Sequence, residues 1–360
     1  MSTDEPLLRV LFVCRGSTRD GLGHVMRSRS VAKEMSRLAS VRMLVVGDDY
    51  VDSLLVDRGL QYSVAASEDA VGSALDELQP NVVVFDALEF SADTIAAARR
   101  QALTVSLSPV FNFLAEMDLI FHRTAQHGEG WDFAGNGPQV RCSLDYAVVR
   151  ENCVRISEEE FRGNLQQERL GVAISMGGAD AGNKTLQMLK ALALVPRPLL
   201  IWTLLGEGYV HSYEALVDCV RESTQHEVIL AKTNNSMWRV LRTCCLAVLA
   251  GGTVTYEAAF AGLPSINLFE SRKHVFLVRE LAERGVCISA GYPLEDAVSV
   301  AAANVAHLEK SRGELLAMHR SASGLIDGCA GERIANEIID AFWTRQSPHG
   351  ASSDGRNRAA

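Results

Sequence analysis

Short runs of apolar residues alternate with helix-compatible stretches from the start of the chain. Continuous runs of Val, Leu and Ile, rather than strict alternation with polar residues, are typical of strands covered on both faces, as in a parallel sheet. Such runs predict strands at 7–14, 41–47, 81–86 and 103–108, with a helix at 23–38 after the first of them. This first part of the chain is therefore predicted to be a doubly wound α/β domain.

The same pattern begins again after a polar stretch at 157–169. Five further apolar runs predict the strands of a second parallel sheet: 170–178, 198–206, 226–232, 245–252 and 263–269. We therefore expect two Rossmann-like domains that face each other across a cleft. The predicted divisions are an N-terminal domain at 1–150, a linker at 151–168, a C-terminal domain at 169–343 and a disordered polar tail at 344–360.

Composition and charge narrow the classes of partner. Apolar residues make up 48% of the 360 residues and charged residues 22%, as in an ordinary globular protein. Lys and Arg total 35 against 44 Asp and Glu, so the net charge is -9, and a general nucleic-acid binder is not expected. The chain shows no apolar run of about 20 residues and no signal peptide, so we expect a cytoplasmic protein without a membrane span.

Three glycine-rich turns follow predicted strands, at the end of the sheet where ligands bind in doubly wound folds. The first, at 21–27, places His24 in the first turn of a helix. There the positive end of the helix dipole favours a neutral imidazole, which can accept a proton as a general base. The alternative is a histidine that only caps the helix.

The other two turns lie in the second domain, at 175–180 and 250–257. Backbone N–H groups at such helix starts can hold a diphosphate. Glu257 lies about one turn into the second of these helices, where its carboxylate can accept hydrogen bonds from both hydroxyls of a ribose. Together the three turns predict a nucleotide site in the cleft.

A dinucleotide-binding fingerprint is the competing interpretation of the first turn. It lacks the third glycine, because Met26 stands where a small residue is needed for packing of the helix on the strand. Asp48 and Asp49 do follow the second strand, where an acid that binds ribose would lie. An NAD-dependent oxidoreductase therefore stays open as a weaker alternative.

Two nucleotide-binding motifs are missing from the chain. It contains neither a P-loop nor an Asp-x-Asp motif that would carry Mg²⁺. A phosphate site built from helix termini needs no metal. We therefore expect no metal and no cofactor.

These motifs resemble those of the GT-B-fold nucleotide-sugar enzymes. The chain is most similar to the UDP-sugar hydrolases of pseudaminic acid biosynthesis and their relatives in spore-coat polysaccharide synthesis, and more distantly to the N-acetylglucosaminyltransferases that make lipid II. The likeness covers most of 7–343. It rests on the G-x-G-H-x-x-R segment at 21–27, Leu-Asp-Tyr-Ala at 144–147 with Arg150, Gly-Gly-Ala-Asp at 177–180 with Asn183, and the most specific match, at 251–264.

The resemblance implies roles for the matching positions and for the positions expected to face the sugar or acceptor. His24 would be the general base. The nucleotide would be bound by Gly177, Gly178, Asn234, Met237, Gly251, Gly252, Thr253, Val254 and Glu257, the 234–237 loop framing the uracil. The sugar or acceptor would be contacted by Arg15, Gly23, Arg27, Asp86, Tyr146, Lys273 and His274.

The chain departs from the family's pattern where the glycosyl group or the acceptor is expected. Arg15 stands where the hydrolases carry an acid, Lys273 and His274 replace an Asn-Gln pair, and the segment at 86–88 reads Asp-Ala-Leu instead of an Asp-His-Tyr type. A guanidinium in place of a carboxylate inverts the local charge. Arg15, Arg272 and Lys273 are therefore candidates for binding an acidic sugar or an anionic acceptor, unless they are solvated surface cations.

We therefore expect a glycosyltransferase that uses a nucleotide sugar, with UDP the expected nucleotide and a small-molecule or glycan acceptor. His24 would deprotonate the acceptor while the nucleoside diphosphate leaves the anomeric carbon. The alternative is a UDP-sugar hydrolase in which water is the nucleophile. A UDP-sugar 2-epimerase, a non-catalytic nucleotide-sugar binding module and an NAD-dependent oxidoreductase are weaker alternatives.

Overall fold

Two parallel β-sheets form the centres of two lobes. The computed structural model describes residues 8–17, 21–48, 51, 59–108, 112–125, 137–222, 225–233, 236–269 and 271–346. Within these residues every pairing between neighbouring strands is parallel. The predicted architecture of two doubly wound α/β units is confirmed.

The first lobe contains a seven-stranded sheet. Its strands are β1 Arg9–Gly16, β2 Ser40–Gly47, β3 Gln61–Ala65, β4 Val82–Asp86, β5 Leu103–Ser106, β6 Leu119–His122 and β7 Gln139–Cys142. The order across the sheet is β3-β2-β1-β4-β5-β6-β7. The order reverses between β1 and β4, so a crevice opens beyond the carboxyl ends of these two strands.

Helices cover both faces of the first sheet. They are α1 Gly23–Met35, α2 Asp69–Leu78 and α3 Ala92–Arg99, with short 3-10 helices at Leu114–Glu116 and Leu144–Tyr146. Along β1, Val10 and Phe12 belong to the core cluster that contains α1, whereas Leu11 and Val13 belong to the cluster under α2 and α3. This burial on both faces explains the continuous apolar run of β1.

The second lobe repeats the arrangement with six strands. They are β8 Leu170–Ser175, β9 Leu199–Leu205, β10 Glu227–Lys232, β11 Leu246–Leu249, β12 Ser265–Leu268 and β13 Cys287–Gly291. The order is β10-β9-β8-β11-β12-β13, which reverses between β8 and β11. The second crevice therefore lies beyond the carboxyl ends of β8 and β11.

The helices of the second lobe complete its two layers. They are α4 Glu158–Leu165, α5 Lys184–Leu192, α6 Tyr213–Glu222, α7 Met237–Leu241, α8 Thr253–Ala261, α9 Arg279–Glu283, α10 Leu294–Lys310 and α11 Arg312–Ser321, with a 3-10 helix at Arg272–Val278. Among the helices described in either lobe, none is long and apolar enough to cross a membrane.

Within the described residues the chain crosses between the lobes twice. The first crossing is at 148–153, where Val148 packs in the first lobe and Cys153 in the second. The second crossing precedes α12, Ala330–Gln346, whose residues Ile334 and Ile338 pack in the core cluster of the first lobe. The helix α12 thus belongs by packing to the first lobe, although most of it falls within the range predicted for the C-terminal domain. Of the predicted polar tail, 347–360 lie outside the described residues.

Candidate functional site

A cleft of about 410 Å³ lies between the two lobes, where the carboxyl ends of the central strands face each other. The first turns of α1 and α8 approach across it, because a Cβ placed on Gly23 would lie 3.6 Å from Thr253 Oγ1. The N-terminus of each helix carries about half a positive charge. Two such ends in one cleft attract an anion.

Most of the site residues predicted from the sequence lie together in this cleft. They contribute from both lobes, so the cleft is formed only when the lobes face each other. The lining residues among those predicted are Gly23, His24, Arg27, Gly177, Gly178, Met237, Gly251, Gly252, Thr253, Val254, Glu257 and His274.

Two predicted residues are engaged elsewhere in the first lobe. The Arg15 guanidinium pairs with Glu68 and lies 5.7 Å from the centre of the Phe90 ring. The Tyr146 hydroxyl donates a hydrogen bond of 2.6 Å to Glu337 on α12. The structure therefore does not place either side chain in the lining of the cleft. Two further predicted positions, Asn234 and the side chain of Lys273, lie outside the described residues.

His24 is held by a carboxylate that lies behind it. Its Nδ1 is 2.7 Å from Asp86 Oδ1, at the end of β4, and the Asp86 side chain is fully buried. Asp86 also pairs with Arg27 and accepts hydrogen bonds from the hydroxyls of Ser28 and Ser108. Asp86 was predicted to contact the sugar or acceptor, and the structure instead places it as the partner of His24.

The contacts of Nδ1 determine which ring nitrogen carries the proton. An Arg27 nitrogen lies 3.0 Å from Nδ1, but a guanidinium cannot accept a hydrogen bond. An unprotonated Nδ1 would set its lone pair against the Asp86 oxygen. Nδ1 therefore carries the proton and donates a hydrogen bond to Asp86, which leaves Nε2 of the neutral ring with a free lone pair. This is the tautomer that a general base needs.

The neighbours of Asp86 keep its carboxyl group ionised. Burial alone would raise the pKa of Asp86, but the Arg27 guanidinium and the hydrogen bond from His24 hold that pKa well below the usual range of a carboxyl. Asp86 therefore remains ionised across the pH range in which enzymes work. It can offset a positive charge that develops on the His24 ring.

The lowered pKa of Asp86 predicts a pH dependence of stability. An unfolded aspartate takes up its proton below about pH 4, whereas the folded one keeps its charge to a lower pH, so stability is lost as the pH falls. Urea denaturation of the wild type should therefore show an unfolding free energy that falls with pH, below about pH 4, more steeply than in Asp86→Asn. The difference in slope is expected to reach about 1.4 kcal/mol per pH unit. Equal slopes in the two proteins would contradict this account of Asp86.

Glu257 is fully buried at the second-lobe wall of the cleft and is held by two donors. Arg150 binds both of its oxygens, at 2.7 and 2.6 Å, and the Trp238 Nε1–H donates to Oε2 at 3.3 Å. Each carboxylate oxygen has two lone pairs, so a further hydrogen bond from a ligand hydroxyl remains available. The Arg150 charge also cancels that of Glu257, which would otherwise repel an anion at the nearby start of α8.

The glycines of the second lobe shape the anion-binding turns. Gly251 has a φ of +64°, and a Cβ there would overlap the Phe269 ring, so only glycine fits this turn before α8. A Cβ on Gly206 would overlap the backbone of Gly178, so the loop after β9 packs directly on the turn after β8. Both turns therefore expose backbone to the cleft.

The Gly-Gly-Ala-Asp segment at 177–180 ends in a residue that caps a helix. Asp180 is buried and its carboxylate accepts hydrogen bonds from the backbone N–H groups of Lys184 and Thr185, at 2.8 and 3.0 Å. Its charge thereby stabilises the N-terminus of α5. The contacts of Asp180 account for an acid at this position without a ligand.

Two arginines of the cleft had no assigned role in the sequence. Arg150 was noted only as part of a matching segment, and its partner Glu257 is distant in the chain. Arg123 follows β6, a strand of four residues that the apolar pattern did not reveal.

Among the described residues, no three His, Cys, Asp or Glu side chains lie together as metal ligands would.

Comparisons with known proteins agree with this architecture. No family profile matches the chain. It is 20% identical over 272 residues to an uncharacterized protein of Methanocaldococcus jannaschii, a match covering 73% of this chain and 56% of that protein. It is 21% identical over 200 residues to the spore coat polysaccharide biosynthesis protein SpsG of Bacillus subtilis, covering 55% of this chain and 57% of that protein. The matches thus span little more than half the length of these relatives.

Solved structures give the fold. MurG of Acinetobacter baumannii superposes with a TM-score of 0.63 at 14% identity, over 92% of this chain and 99% of that one. The S. aureus MnaA–UDP complex superposes with a TM-score of 0.62 at 13% identity, over 97% of this chain and all of that one. The chain has the GT-B fold. The resemblance to GT-B enzymes and to a spore-coat polysaccharide protein, predicted from sequence motifs, is thereby confirmed.

Proposed function

We propose that this GT-B protein is a glycosyltransferase whose donor is a nucleoside-diphosphate sugar, with UDP as the expected nucleotide. The observation that carries the proposal is the pairing, across one cleft, of the His24–Asp86 dyad with the glycine turn and N-terminus of α8. A base on one side and an anion site on the other are the two groups that displacement of a diphosphate requires. The MnaA complex supports the choice of nucleotide, because that fold neighbour binds UDP.

The donor would be bound mainly by the second lobe. The backbone N–H groups at Gly252, Thr253 and Val254 would hold the diphosphate at the positive end of α8. Glu257 would accept the ribose hydroxyls with the lone pairs that Arg150 and Trp238 leave free. Met237, which lines the cleft at the start of α7, would lie beside the base. The anomeric carbon would then point toward the first lobe.

His24 would perform the proton transfer. Its Nε2 takes the proton of the acceptor hydroxyl as the oxygen bonds to the anomeric carbon and the bond from that carbon to the diphosphate breaks. Asp86 stabilises the imidazolium that forms and keeps the ring in the required orientation. The electron pair of the broken bond leaves with the diphosphate, where the helix ends stabilise the charge. No step of this scheme calls for a metal ion.

The same base could deprotonate water, so hydrolysis is the alternative outcome of the decisive assay. The protein is incubated with UDP-, GDP-, CMP- and dTDP-sugars. Free nucleotide is measured with and without a cell extract that supplies small-molecule and glycan acceptors. We expect release from UDP-sugars only with extract, undiminished by EDTA. Release without extract would identify a hydrolase instead.

A binding assay separates the proposal from the non-enzymatic and NAD-dependent alternatives. UDP at about 100 times its Kd should stabilise the fold by about 2.7 kcal/mol, seen as a rise in melting temperature. NAD should give no rise. Stabilisation by NAD alone would end the nucleotide-sugar proposal, and UDP binding with no nucleotide release from any donor would favour a binding module.

A further inference from the structure

Arg123 reaches from the first lobe to the second and lines the cleft. It follows β6, and its guanidinium carbon lies 4.9 Å from the centre of the Tyr256 ring on α8. The Tyr256 hydroxyl accepts a hydrogen bond from Arg123 and itself donates to the Leu277 carbonyl. This contact connects a side chain of the first lobe to α8 of the second.

The positive charge of Arg123 has no counterion among the described residues. Its Nε–H is buried and has no hydrogen-bond partner. The carboxylate whose charge is felt by the Arg123 guanidinium is Asp86, but Asp86 already pairs with Arg27 and His24. Burial lowers the pKa of Arg123, as expected for a cation that has lost water without gaining a counterion. This end of the cleft therefore carries one positive charge in excess.

Such an arrangement is costly for the fold unless a ligand completes it. The Arg123 side chain is only partly buried, but its Nε–H is buried and has no partner, and such a donor loses the free energy of its hydration. An apolar residue of similar length would fill the same space beside Tyr256 at a lower cost. The unpaired donor therefore points to an anionic group that arrives with a substrate.

We propose that Arg123 determines specificity for a substrate that carries an anionic group, a carboxylate or a phosphate, on the glycosyl or acceptor side of the cleft. The inference rests on the proposed function, which places the diphosphate at α8 and the reacting groups beside His24. Arg123 lies with Arg27 and Ser108 on the wall that also carries His24. A guanidinium fork matches a carboxylate or a phosphate through two parallel hydrogen bonds.

The first experiment asks whether the anionic group belongs to the donor. UDP-glucuronate and UDP-glucose differ only in a carboxylate against a hydroxymethyl group, and calorimetry gives the affinity of each. If the anionic group belongs to the donor, the wild type prefers UDP-glucuronate by about 10–100-fold, the effect of a charge-assisted hydrogen bond. In Arg123→Met that preference should fall to about twofold, in Arg123→Lys it should fall only in part, and the affinity for UDP itself should stay unchanged.

The second experiment asks whether the group belongs to the acceptor. With the protein saturated by UDP, glucuronate and glucose 6-phosphate are each compared with glucose. A preference of about 10–100-fold for one of the anions, lost in Arg123→Met, places the group on the acceptor. Arg15→Met is the matched control, because it removes an arginine that pairs with Glu68 outside the cleft.

The outcomes separate this inference from the proposed function. If the wild type does not bind UDP, the proposed function fails, and this inference fails with it. If UDP binds but no anion is preferred, or if Arg15→Met abolishes the preference and Arg123→Met does not, this inference alone is overturned. A weaker affinity for UDP in Arg123→Met also overturns it, because Arg123 would then bind the diphosphate. A lower melting temperature with an unchanged preference overturns it as well, since Arg123 would then be structural.

Discussion

Replacing His24 with alanine is expected to lower the rate of nucleotide release by about 10²–10⁴-fold while leaving the affinity for UDP unchanged. The imidazole is the group that Asp86 orients with Nε2 unprotonated, whereas the expected diphosphate site is on the opposite lobe. Turnover is measured with the donor and acceptor found in the nucleotide-release assay, and UDP affinity by calorimetry.

The matched control is His307, an exposed histidine that pairs with Glu314 and does not line the cleft. His307→Ala should turn over at the wild-type rate. Wild-type turnover in His24→Ala would remove His24 from the mechanism. A parallel loss of UDP affinity would assign it to the nucleotide site instead.

Replacing Glu257 with glutamine is expected to affect stability and nucleotide binding together. The change keeps the size of the side chain but leaves Arg150, which is only 18% exposed, without its counterion. Breaking such a pair costs about 3 kcal/mol, to be measured by urea denaturation. UDP affinity should fall by about tenfold or more, because a ribose hydroxyl loses a charged acceptor.

A second variant separates the two effects. In the double variant Glu257→Gln with Arg150→Met no unpaired charge remains, so the lost stability should largely return. The lost affinity for UDP should not return, because the carboxylate is still absent. Recovery of affinity in the double variant would show that Glu257 acts only by neutralising Arg150.

The central strands of both sheets could be predicted from the sequence because burial on two faces leaves a continuous apolar run. The strands β3 and β7, at the edges of the first sheet, are half-exposed and carry polar residues such as Gln61 and Arg141. The strands β6 and β13 were not predicted either, although β5, β11 and β12 are as short and were predicted. Edge strands such as β3, β7 and β13 are fixed by pairing with a neighbour in space, and that information is not local in the chain.

The candidate site was predictable to the extent that it depends on local chain geometry. Glycine turns that lead into helices, with His24 and Glu257 in the first turns, are visible as spacing along the chain. Side chains whose role depends on a distant partner were not. Arg15 looked like a cleft cation until its pairing with Glu68 was seen, and Asp86 looked like a substrate contact rather than the partner of His24. Arg123 had no signal in the sequence, because its place in the cleft, without a counterion among the residues that the structure describes, depends on how the two lobes pack.

The return of α12 to the first lobe constrains how the molecule can move. The crossing at 148–153 and the residues just before and within the start of α12, at 328–332, line one cavity beside α1, so the two covalent links run side by side. Because the two lobes are connected at neighbouring points, we expect them to move relative to each other mainly by rotation about an axis through these two connections. A bulky donor would then enter after a hinge rotation that opens the cleft most widely on the side opposite 148–153.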